Sequence, residues 1–232
     1  MSVHTLHWQG GWARIGPWRS QDVVAQVTVG AATPPTPQVV ARCLELLRGG
    51  GYSAAVTSAL SPADSLPFVD AGFAVRERLH LLSHDLRDLP PTTVGTRRAW
   101  RRDRSAVLDV DALAFDSFWK LDGRALDDAR RATPISRFRV VARRGTDGVQ
   151  GYAITGRAGR HGYLQRVATH PEARRQGIGR GLVVDSLRWL QRHGCNRVLV
   201  NTQLDNAAAL ALYDACGFRR LPVGLCVLGR SL

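Results

Sequence analysis

The sequence predicts an α/β fold in which two helices precede an antiparallel β-meander and a β-α-β-α-β unit ends the chain. Two observations lead to this prediction. Between residues 104 and 169 the apolar spacing changes from a helical period to an alternating one, and from there to residue 232 strands and helices alternate. In addition, a shorter version of the β-α-β-α-β pattern occupies residues 1–90.

The composition is that of a globular protein. The 232 residues are 44% apolar and 22% charged, enough for one large domain or two smaller ones. No apolar run approaches the ~20 residues of a membrane span, and the opening MSVHTLHWQGGW lacks the features of a secretion signal. We therefore expect a cytoplasmic protein. The four cysteines form no CxxC pair, which predicts buried thiols and no metal site.

The net charge of +13 comes almost entirely from arginine, since Lys120 is the only lysine. This charge favours anionic partners. The densest group has two interpretations, a nucleic-acid patch or a solvated strand edge, and the strand edge is favoured because Trp100 is the only aromatic residue among its arginines. The group consists of Arg97, Arg98, Arg101, Arg102 and Arg104.

A turn-rich stretch, HDLRDLPPTTVGT at residues 84–96, marks the clearest boundary because its paired prolines interrupt two regular segments. It divides the chain into a predicted first domain, 1–90, and second domain, 91–232. The second domain begins with two helices, SAVLDVDALAFDSFW and DGRALDDARRAT. Three strands follow, RFRVVAR, VQGYAIT and YLQRVAT, joined by turns at 144–148 and 156–162, which predicts an antiparallel meander.

The segment at 170–194, HPEARRQGIGRGLVVDSLRWLQRHG, predicts a long amphipathic helix entered through a glycine-rich turn. The strand NRVLVNTQL comes next. An alanine-rich helix, DNAAALALYDACG, is capped by Asp205 or Asn206 and ended by Gly217, and the tail from Phe218 predicts one or two strands.

Residues 39–73 repeat the pattern of residues 183–218. The stretches VVARCLELLRGGGYSAAVTSALSPADSLPFVDAGF and VVDSLRWLQRHGCNRVLVNTQLDNAAALALYDACGF align through helix, glycine stop, strand, capped helix and final Gly-Phe with one single-residue gap. The sequence thus predicts a duplication, although two amphipathic helices can also match by chance.

The turn ARRQGIGRG, residues 173–181, suits a pyrophosphate. Gly177 and Gly179 let several backbone N–H groups approach one point, and the positive end of the following helix favours phosphate oxygens. The turn lacks the Gly-Lys-Ser/Thr of nucleoside-triphosphate loops, and no acidic residue ends the next strand as dinucleotide folds require. Asn206 and Tyr213 are seven residues apart, so two helical turns place them on one face.

These motifs, RRQGIG, the strand LQRVATHP and the segment N…ALYDACGF, resemble the Gcn5-related N-acetyltransferase (GNAT) family over roughly residues 92–232. The resemblance implies the acyl-CoA N-acyltransferase fold, with a mixed central sheet flanked by helices. It also implies acetyl-CoA as co-substrate, no metal, and a tandem arrangement in which residues 1–90 are a degenerate copy.

The resemblance also implies roles for individual residues. Asn206 would bind the pantetheine arm, and Tyr213 would protonate the departing sulfur, although a helix cap and a core tyrosine are the plain structural alternatives. Backbone groups on the strand would hold the pantetheine and the acetyl carbonyl, at Val167, Ala168 and Thr169. The pyrophosphate would be wrapped by Arg174, Arg175, Gln176, Gly177, Ile178, Gly179 and Arg180.

The strand that carries a glutamate base in many members of the family has Gln165 and Arg166 here, and neither accepts a proton from an ammonium group. Because an α-amino group with a pKa of about 7.7–8 needs little help, a peptide or protein N-terminus or a weakly basic small amine is the expected acceptor. Other residues remain candidates for a base: His161, His170, Glu172, Asp116 and Asp122. The acceptor contacts would come from Phe115, Phe118, Trp119 and Gln165, with the aromatic residues as core in the alternative interpretation.

The first domain lacks the equivalent groups. Its turn GAATPPTPQ has three prolines without N–H groups and no arginine. Phe68 stands in the place of Tyr213, and Ser61 in the place of Asn206, so we expect residues 1–90 to be structural.

The sequence therefore predicts an acetyl-CoA-dependent N-acetyltransferase, monomeric or homodimeric. The alternatives are a non-catalytic acyl-CoA-binding sensor and an arginine-rich scaffold for nucleic acid or ribosomes.

Overall fold

The structure, a computed structural model, describes residues 3–19, 21–92, 94–142 and 148–232. The predicted turn at 144–148 lies outside these residues except for its last glycine. The helices are α1 Pro37–Gly49, α2 Pro62–Asp70, α3 Arg104–Ala114, α4 Gly123–Arg131, α5 Ile178–Arg192 and α6 Ala207–Ala215. The strands are β1 His4–Trp8, β2 Gly11–Trp18, β3 Gln21–Ala31, β4 Ala54–Thr57, β5 Ala74–His84, β6 Arg97–Arg98, β7 Ile135–Ala142, β8 Val149–Ala158, β9 His161–Thr169, β10 Arg197–Gln203, β11 Arg219–Arg220 and β12 Leu225–Ser231.

Tertiary contacts divide the chain into two compact units. The first contains the residues through 81 together with 201–205 and 221–232, and the second contains 82–200 and 206–220. These units differ from the predicted division after residue 90, because residues 82–90 lie in the second unit, whereas 201–205 and 221–232 lie in the first.

The first unit is a sheet in the order β1-β2-β3-β4-β12-β5. Its β3 and β4 are parallel and its other neighbouring strands are antiparallel. Helices α1 and α2 cover a core that includes Leu47, Phe68 and Phe73. The last strand, β12, lies between β4 and β5, and buries Leu228 completely. It is therefore an interior strand of this unit, although it is the last in sequence.

In the second unit, the strand order is β10-β9-β8-β7-β6, and β11 pairs with the end of β5 through Ser83 and Leu82. The meander β7-β8-β9 is antiparallel, as predicted, and β9 and β10 are parallel, so the sheet is mixed. Helices α3 and α4 pack on a cluster around Val107, Leu126 and Tyr152, while α5 and α6 pack on a second cluster around Leu187 and Leu210. The predicted α/β fold with a mixed sheet is confirmed.

The first helix of the second domain is shorter than its sequence predicts. It ends at Ala114 because the Asp116 carboxylate accepts the N–H groups of Phe118 and Trp119, at 2.9 and 3.1 Å. This local side-chain bonding competes with helix continuation. Residues 115–121 therefore form a loop, called the aromatic loop below.

Candidate functional site

Strand β9 is open along one edge. Its ladder with β10 joins residues 161–163 to 197–199 and ends there, although β9 continues to Thr169. On its other edge β9 pairs with β8 over its full length, and the register shifts at Gln165. The shift is a β-bulge, which places one extra residue on β9 and turns neighbouring side chains toward the same face.

The open edge exposes backbone groups at two of the three predicted positions. The His170 N–H bonds to the carbonyl of Gln150 on β8, at 2.8 Å. Because successive residues of an antiparallel strand direct their N–H and C=O groups to opposite neighbours, Ala168 bonds toward β8, where it pairs with Tyr152. Val167 and Thr169 therefore direct theirs toward the open edge.

The glycine-rich turn leads directly from β9 into α5. Gly177 begins α5 as its N-cap in the left-handed conformation, with φ of 76°, and Arg175 is also left-handed, with φ of 60°. The five N–H groups of residues 176–180 have no hydrogen-bond acceptor within the described part of the chain. Such a row of N–H groups at a helix N-terminus is a ready site for an anion.

The start of α5 lies between the end of β9 and α6. A Cβ placed on Gly179 would be 3.3 Å from Leu212 Cδ2 and 3.4 Å from Thr169 Oγ1, so this position has little room for a side chain. The charged groups of the turn are on the outside. Exposed side chains are those of Arg174, Arg175, Gln176 and Arg180, whereas Ile178 packs in the core.

Asn206 is the N-cap of α6. Its Oδ1 accepts the Ala209 N–H at 3.1 Å. The structural alternative considered for this residue is therefore present, and its amide oxygen already has a donor.

Tyr213 lies on the buried face of α6, 7% exposed, with its ring 5.5 Å from that of Phe218. Within the described residues its hydroxyl has no hydrogen-bond partner. Burial, followed by the nearby Cys216, raises the pKa of Tyr213 to about 12, and the positive charge of Arg166 partly opposes this. The phenol is therefore protonated throughout the physiological range.

An ion pair holds the other face of β9. The carboxylate of Asp111 on α3 accepts from Arg166 Nε at 2.8 Å and from Nη2 at 2.9 Å. It also accepts from the Tyr152 hydroxyl and from the Leu121 N–H. Asp111 is completely buried, so this single carboxylate ties α3, β8, β9 and the aromatic loop together.

The predicted acceptor residues surround this pair. Phe115 lies under the Arg166 guanidinium, 3.4 Å from ring centroid to Cζ, and the Trp119 carbonyl accepts from Arg166 Nη2 at 2.7 Å. Phe118 packs edge-on against Trp119. Gln165, at the bulge, donates to Thr133 at 3.4 Å, and its Oε1 is buried with no partner among the residues that the structure describes. Phe115 and Trp119 thus contact Arg166, Phe118 packs on Trp119, and Gln165 is the neighbouring residue of β9.

Sequence reasoning missed Asp111 and gave Arg166 no positive role. An aspartate one residue after the apolar Val110, inside a helix, is the only local signal, and it does not identify the strand that supplies its partner.

The other candidates for a general base either make local hydrogen bonds or are exposed. Asp122 caps α4 through the Ala125 N–H, and Asp116 closes the aromatic loop. His170 accepts the Glu172 N–H at 3.3 Å. Glu172 itself is exposed, and so is His161 at the start of β9. In the described part of the chain there is no group of three metal-ligating side chains.

The first unit has helix caps at the corresponding positions, but its residues there carry different functional groups. Ser61 caps α2 through the Asp64 N–H, and Phe68 packs 5.3 Å from Phe73. Thr36 caps α1 by accepting the Val39 N–H, and the turn before it holds Pro34 and Pro35. The first turn of α1 is therefore capped, whereas α5 has no side-chain cap.

The edge of β3 is also more fully bonded than that of β9. Beyond its four ladder pairs with β4, Ser58 N–H bonds to Val27, and Ser58 Oγ accepts the Val29 N–H at 3.2 Å.

Residues 104–218 match the sequence model of the family described as "Acetyltransferase (GNAT) family". Among curated proteins, 135 residues are 34% identical to mycothiol acetyltransferase of Amycolatopsis mediterranei (strain U-32), covering 51% of this chain and 44% of the relative. A further match, 35% identical over 60 residues, is to N-alpha-acetyltransferase 30 of Saccharomyces cerevisiae, covering 26% of this chain and 34% of the relative. The chain thus spans less than half the length of these curated relatives.

Two solved structures share the fold along almost the whole chain. One is a tandem GNAT protein from the clavulanic acid biosynthesis pathway, with a TM-score of 0.66, 15% identity, and coverage of 96% of this chain and 79% of that one. The other is a GCN5-related N-acetyltransferase from Kribbella flavida, with a TM-score of 0.64, 18% identity, and coverage of 98% and 89%. At these identities the likeness shows the fold alone.

Proposed function

Because residues 104–218 belong to the acetyltransferase (GNAT) family, we propose that this chain transfers the acetyl group of acetyl-CoA directly to a primary amine. The observation that carries the proposal is the open edge of β9, which lies beside the unbonded N–H groups at the start of α5. An extended pantetheine arm can add to such an edge as a strand does, and a pyrophosphate can bind the five N–H groups.

The second unit supplies the groups for the reaction in this proposal. The backbone groups of Val167 and Thr169 at the open edge bind the pantetheine and hold the oxygen of the acetyl carbonyl, where charge develops. The exposed arginines of the turn, Arg174, Arg175 and Arg180, surround the phosphates. Asn206 can reach the pantetheine only with the part of its amide that does not cap α6.

The proposed chemical step is a direct transfer. The amine nitrogen forms a bond to the acetyl carbon, the carbon–sulfur bond breaks, and the sulfur leaves as a thiolate with an ordinary pKa near 8.5. Tyr213, which its raised pKa of about 12 keeps protonated, donates its proton to this sulfur. The proton released by the nitrogen passes through water and restores the phenol, so that the net proton transfer is from the nitrogen to the more acidic thiol.

The preferred acceptor is an α-amino group. Arg166 is tied to Asp111, whose carboxylate is thereby occupied, and the carboxylates of Asp116 and Asp122 accept backbone N–H groups in local structure. An acceptor whose amine is partly neutral at physiological pH needs the least help from a base. The relatives named for mycothiol and for N-terminal acetyl transfer motivate this choice without deciding it.

Free thiol release from acetyl-CoA, measured with a panel of amines and peptides, tests the proposal. We expect turnover in wild-type protein and a loss of about 10²–10³-fold in kcat for Tyr213→Phe. Binding of acetyl-CoA without turnover of any acceptor would instead support the non-catalytic sensor.

The arginine cluster gives little support to a nucleic-acid function. Arg97 forms two 2.7 Å bonds to Asp103, and Arg104 forms two 2.9 Å bonds to Asp127. Of the five arginines, these two are therefore neutralised, and we propose a structural role for them. No helix among the described residues is both long and apolar enough to cross a membrane.

A further inference from the structure

The guanidinium of Arg166 is fixed on three sides. Phe115 covers one of its faces, and the Asp111 carboxylate accepts hydrogen bonds from both Nε and Nη2. The second hydrogen of Nη2 goes to the Trp119 carbonyl. The Tyr152 hydroxyl also lies near the guanidinium. The hydrogen bonds of Arg166 with defined donor–acceptor distances in the described residues involve Nε and Nη2, which leaves the two N–H donors of Nη1 without an acceptor there.

Arg166 adjoins two residues of the proposed reaction centre. Arg166 directly precedes Val167, the first residue whose backbone faces the open edge of β9. Its charge also acts on Tyr213, where it is the influence that lowers the pKa against burial. The bulge at Gln165 directly precedes Arg166, and the aromatic loop contacts Arg166 through the Trp119 carbonyl. A small molecule that reaches Val167 from this side therefore meets Arg166 Nη1.

We propose that Arg166 Nη1 binds the carbonyl oxygen of an acceptor in which the amine and an amide carbonyl are attached to the same carbon. The acceptor class is thus an α-amino amide, either a peptide N-terminus or a small molecule of the same chemistry. This inference rests on the proposed acetyl transfer and names its acceptor. The amide carbonyl oxygen is two bonds from the carbon that bears the amine. By binding this oxygen, Arg166 would orient the amine toward the acetyl carbon.

The charge balance favours a neutral oxygen over a carboxylate. Asp111 compensates Arg166 through a bidentate pair inside the protein, where a third charge would be poorly solvated. An amide oxygen accepts the remaining donors without adding charge. A free α-amino acid would bring a carboxylate close to that of Asp111.

Arg166→Lys is the informative variant because lysine keeps a positive charge for Asp111 but cannot also present the planar Nη1 edge. Its matched control is Arg137→Lys. Arg137 on β7 makes the same type of pair with Asp185 on α5, with side chains 19% and 21% exposed, in the other layer of the same unit.

The experiment compares kcat/KM for alaninamide with that for propargylamine, an amine of similar basicity without a carbonyl. We expect wild-type protein to prefer alaninamide by about ten- to a hundredfold, the value of a hydrogen bond to a charged group. Arg166→Lys should reduce this ratio toward one, whereas Arg137→Lys should preserve it. Because a general loss of activity affects both amines, it cancels in the ratio.

An unchanged ratio in Arg166→Lys would overturn the inference and leave Arg166 as a structural tie. A preference for free alanine over alaninamide would overturn it as well. Comparison of kcat/KM for an alanyl peptide and for alaninamide distinguishes a polypeptide acceptor from a small one. A higher kcat/KM for either of them than for propargylamine supports the α-amino amide class.

Calorimetry separates this inference from the proposed function. Alaninamide is titrated into protein saturated with CoA, which requires no turnover. Binding to wild type and to Arg137→Lys, but not to Arg166→Lys, would support the inference even if no acceptor were acetylated, and equal binding to all three would contradict it.

Discussion

Arg166 and Asp111 form a buried bidentate ion pair, with N···O distances of 2.8 and 2.9 Å, between the middle of the second unit's sheet and the helix that covers it. Asp111 is 55 residues away in sequence, and it also holds Tyr152 and the aromatic loop. One carboxylate thus organises the side of β9 that we assign to the acceptor.

Replacing Asp111 with alanine should strongly destabilise the second unit. Removal of one partner leaves a buried charge without compensation, and we expect a loss of about 3–5 kcal/mol in the free energy of unfolding. Asp109→Ala is the matched control, since this aspartate is exposed on the same helix and should cost no more than about 0.5 kcal/mol. Urea denaturation compares the two, and equal losses would contradict the structural role of the pair.

Tyr213→Phe should leave the fold intact while it removes the proposed acid. Its hydroxyl has no hydrogen-bond partner in the described structure, so its removal should change the free energy of unfolding by less than about 1 kcal/mol. CoA affinity measured by calorimetry should also be retained. A large drop in melting temperature would show that Tyr213 is mainly a packing residue.

The pH profile of the wild-type protein gives an independent test of Tyr213. With a pKa of about 12, the phenol remains protonated over the whole range in which activity can be measured. We expect kcat/KM to rise as the acceptor amine loses its proton and then to level off, with no decrease below about pH 10. A descending limb near about pH 9 would mean that the acid has a lower pKa than the buried Tyr213.

Gly177→Ala should weaken CoA binding through the turn, and Gly194→Ala should not. Both glycines are left-handed, with φ of 76° and 74°, at opposite ends of α5. Alanine should therefore cost each a similar amount, about 1 kcal/mol of stability. Only Gly177 adjoins the N–H groups of residues 176–180, so calorimetry with CoA should distinguish the two variants, and equal affinities would argue against the anion site.

His84 should make the second unit acid-sensitive. Its Nδ1 accepts the Leu86 N–H at 2.7 Å, so Nε2 carries the hydrogen and donates to the Cys216 carbonyl at 3.1 Å. Burial lowers the pKa of His84, with smaller opposing effects of Asp85 and the Cys216 carbonyl. The neutral ring thus contributes stability above its unfolded pKa, and that contribution is lost as the pH falls through the lower folded value.

Urea midpoints at about pH 7.5 and about pH 5 for wild type and His84→Gln test this linkage. The glutamine variant should be less stable at the higher pH, by about 1 kcal/mol for the altered hydrogen bonds, and should lose less on acidification. Parallel losses in both proteins would rule out His84 as the source.

The final strand should be required by the first unit. Leu228 on β12 is completely buried in that unit, so Leu228→Ala should cost about 2–5 kcal/mol. Val223→Ala, at a residue 54% exposed just before β12, is the control and should have little effect. Hydrogen exchange in β4 and β5 provides the measurement. Unchanged protection in Leu228→Ala would contradict the placement of this strand as an interior member of the sheet.

The alignment of the two similar stretches predicted local structure in detail. The alignment of residues 39–73 with 183–218 agrees with the observed elements down to the caps and the final glycines, Gly72 and Gly217, both left-handed with φ of 85° and 88°. Because such features depend on a few neighbouring residues, they can be predicted from the sequence. The end of α3 was missed because Asp116 captures two N–H groups, which helical periodicity does not reveal.

The sequence by itself determined the α/β class, the meander, the matching order of elements at 39–73 and 183–218, and the glycine turn that begins α5, since each depends on periodicity and local backbone preference. Tertiary structure alone decided that Asp111 meets Arg166, that β9 keeps an open edge beyond residue 163, and that β12 completes the first unit. These outcomes depend on which distant segments pair, because strand partners and buried charges are matched through space and leave no fixed spacing in the chain.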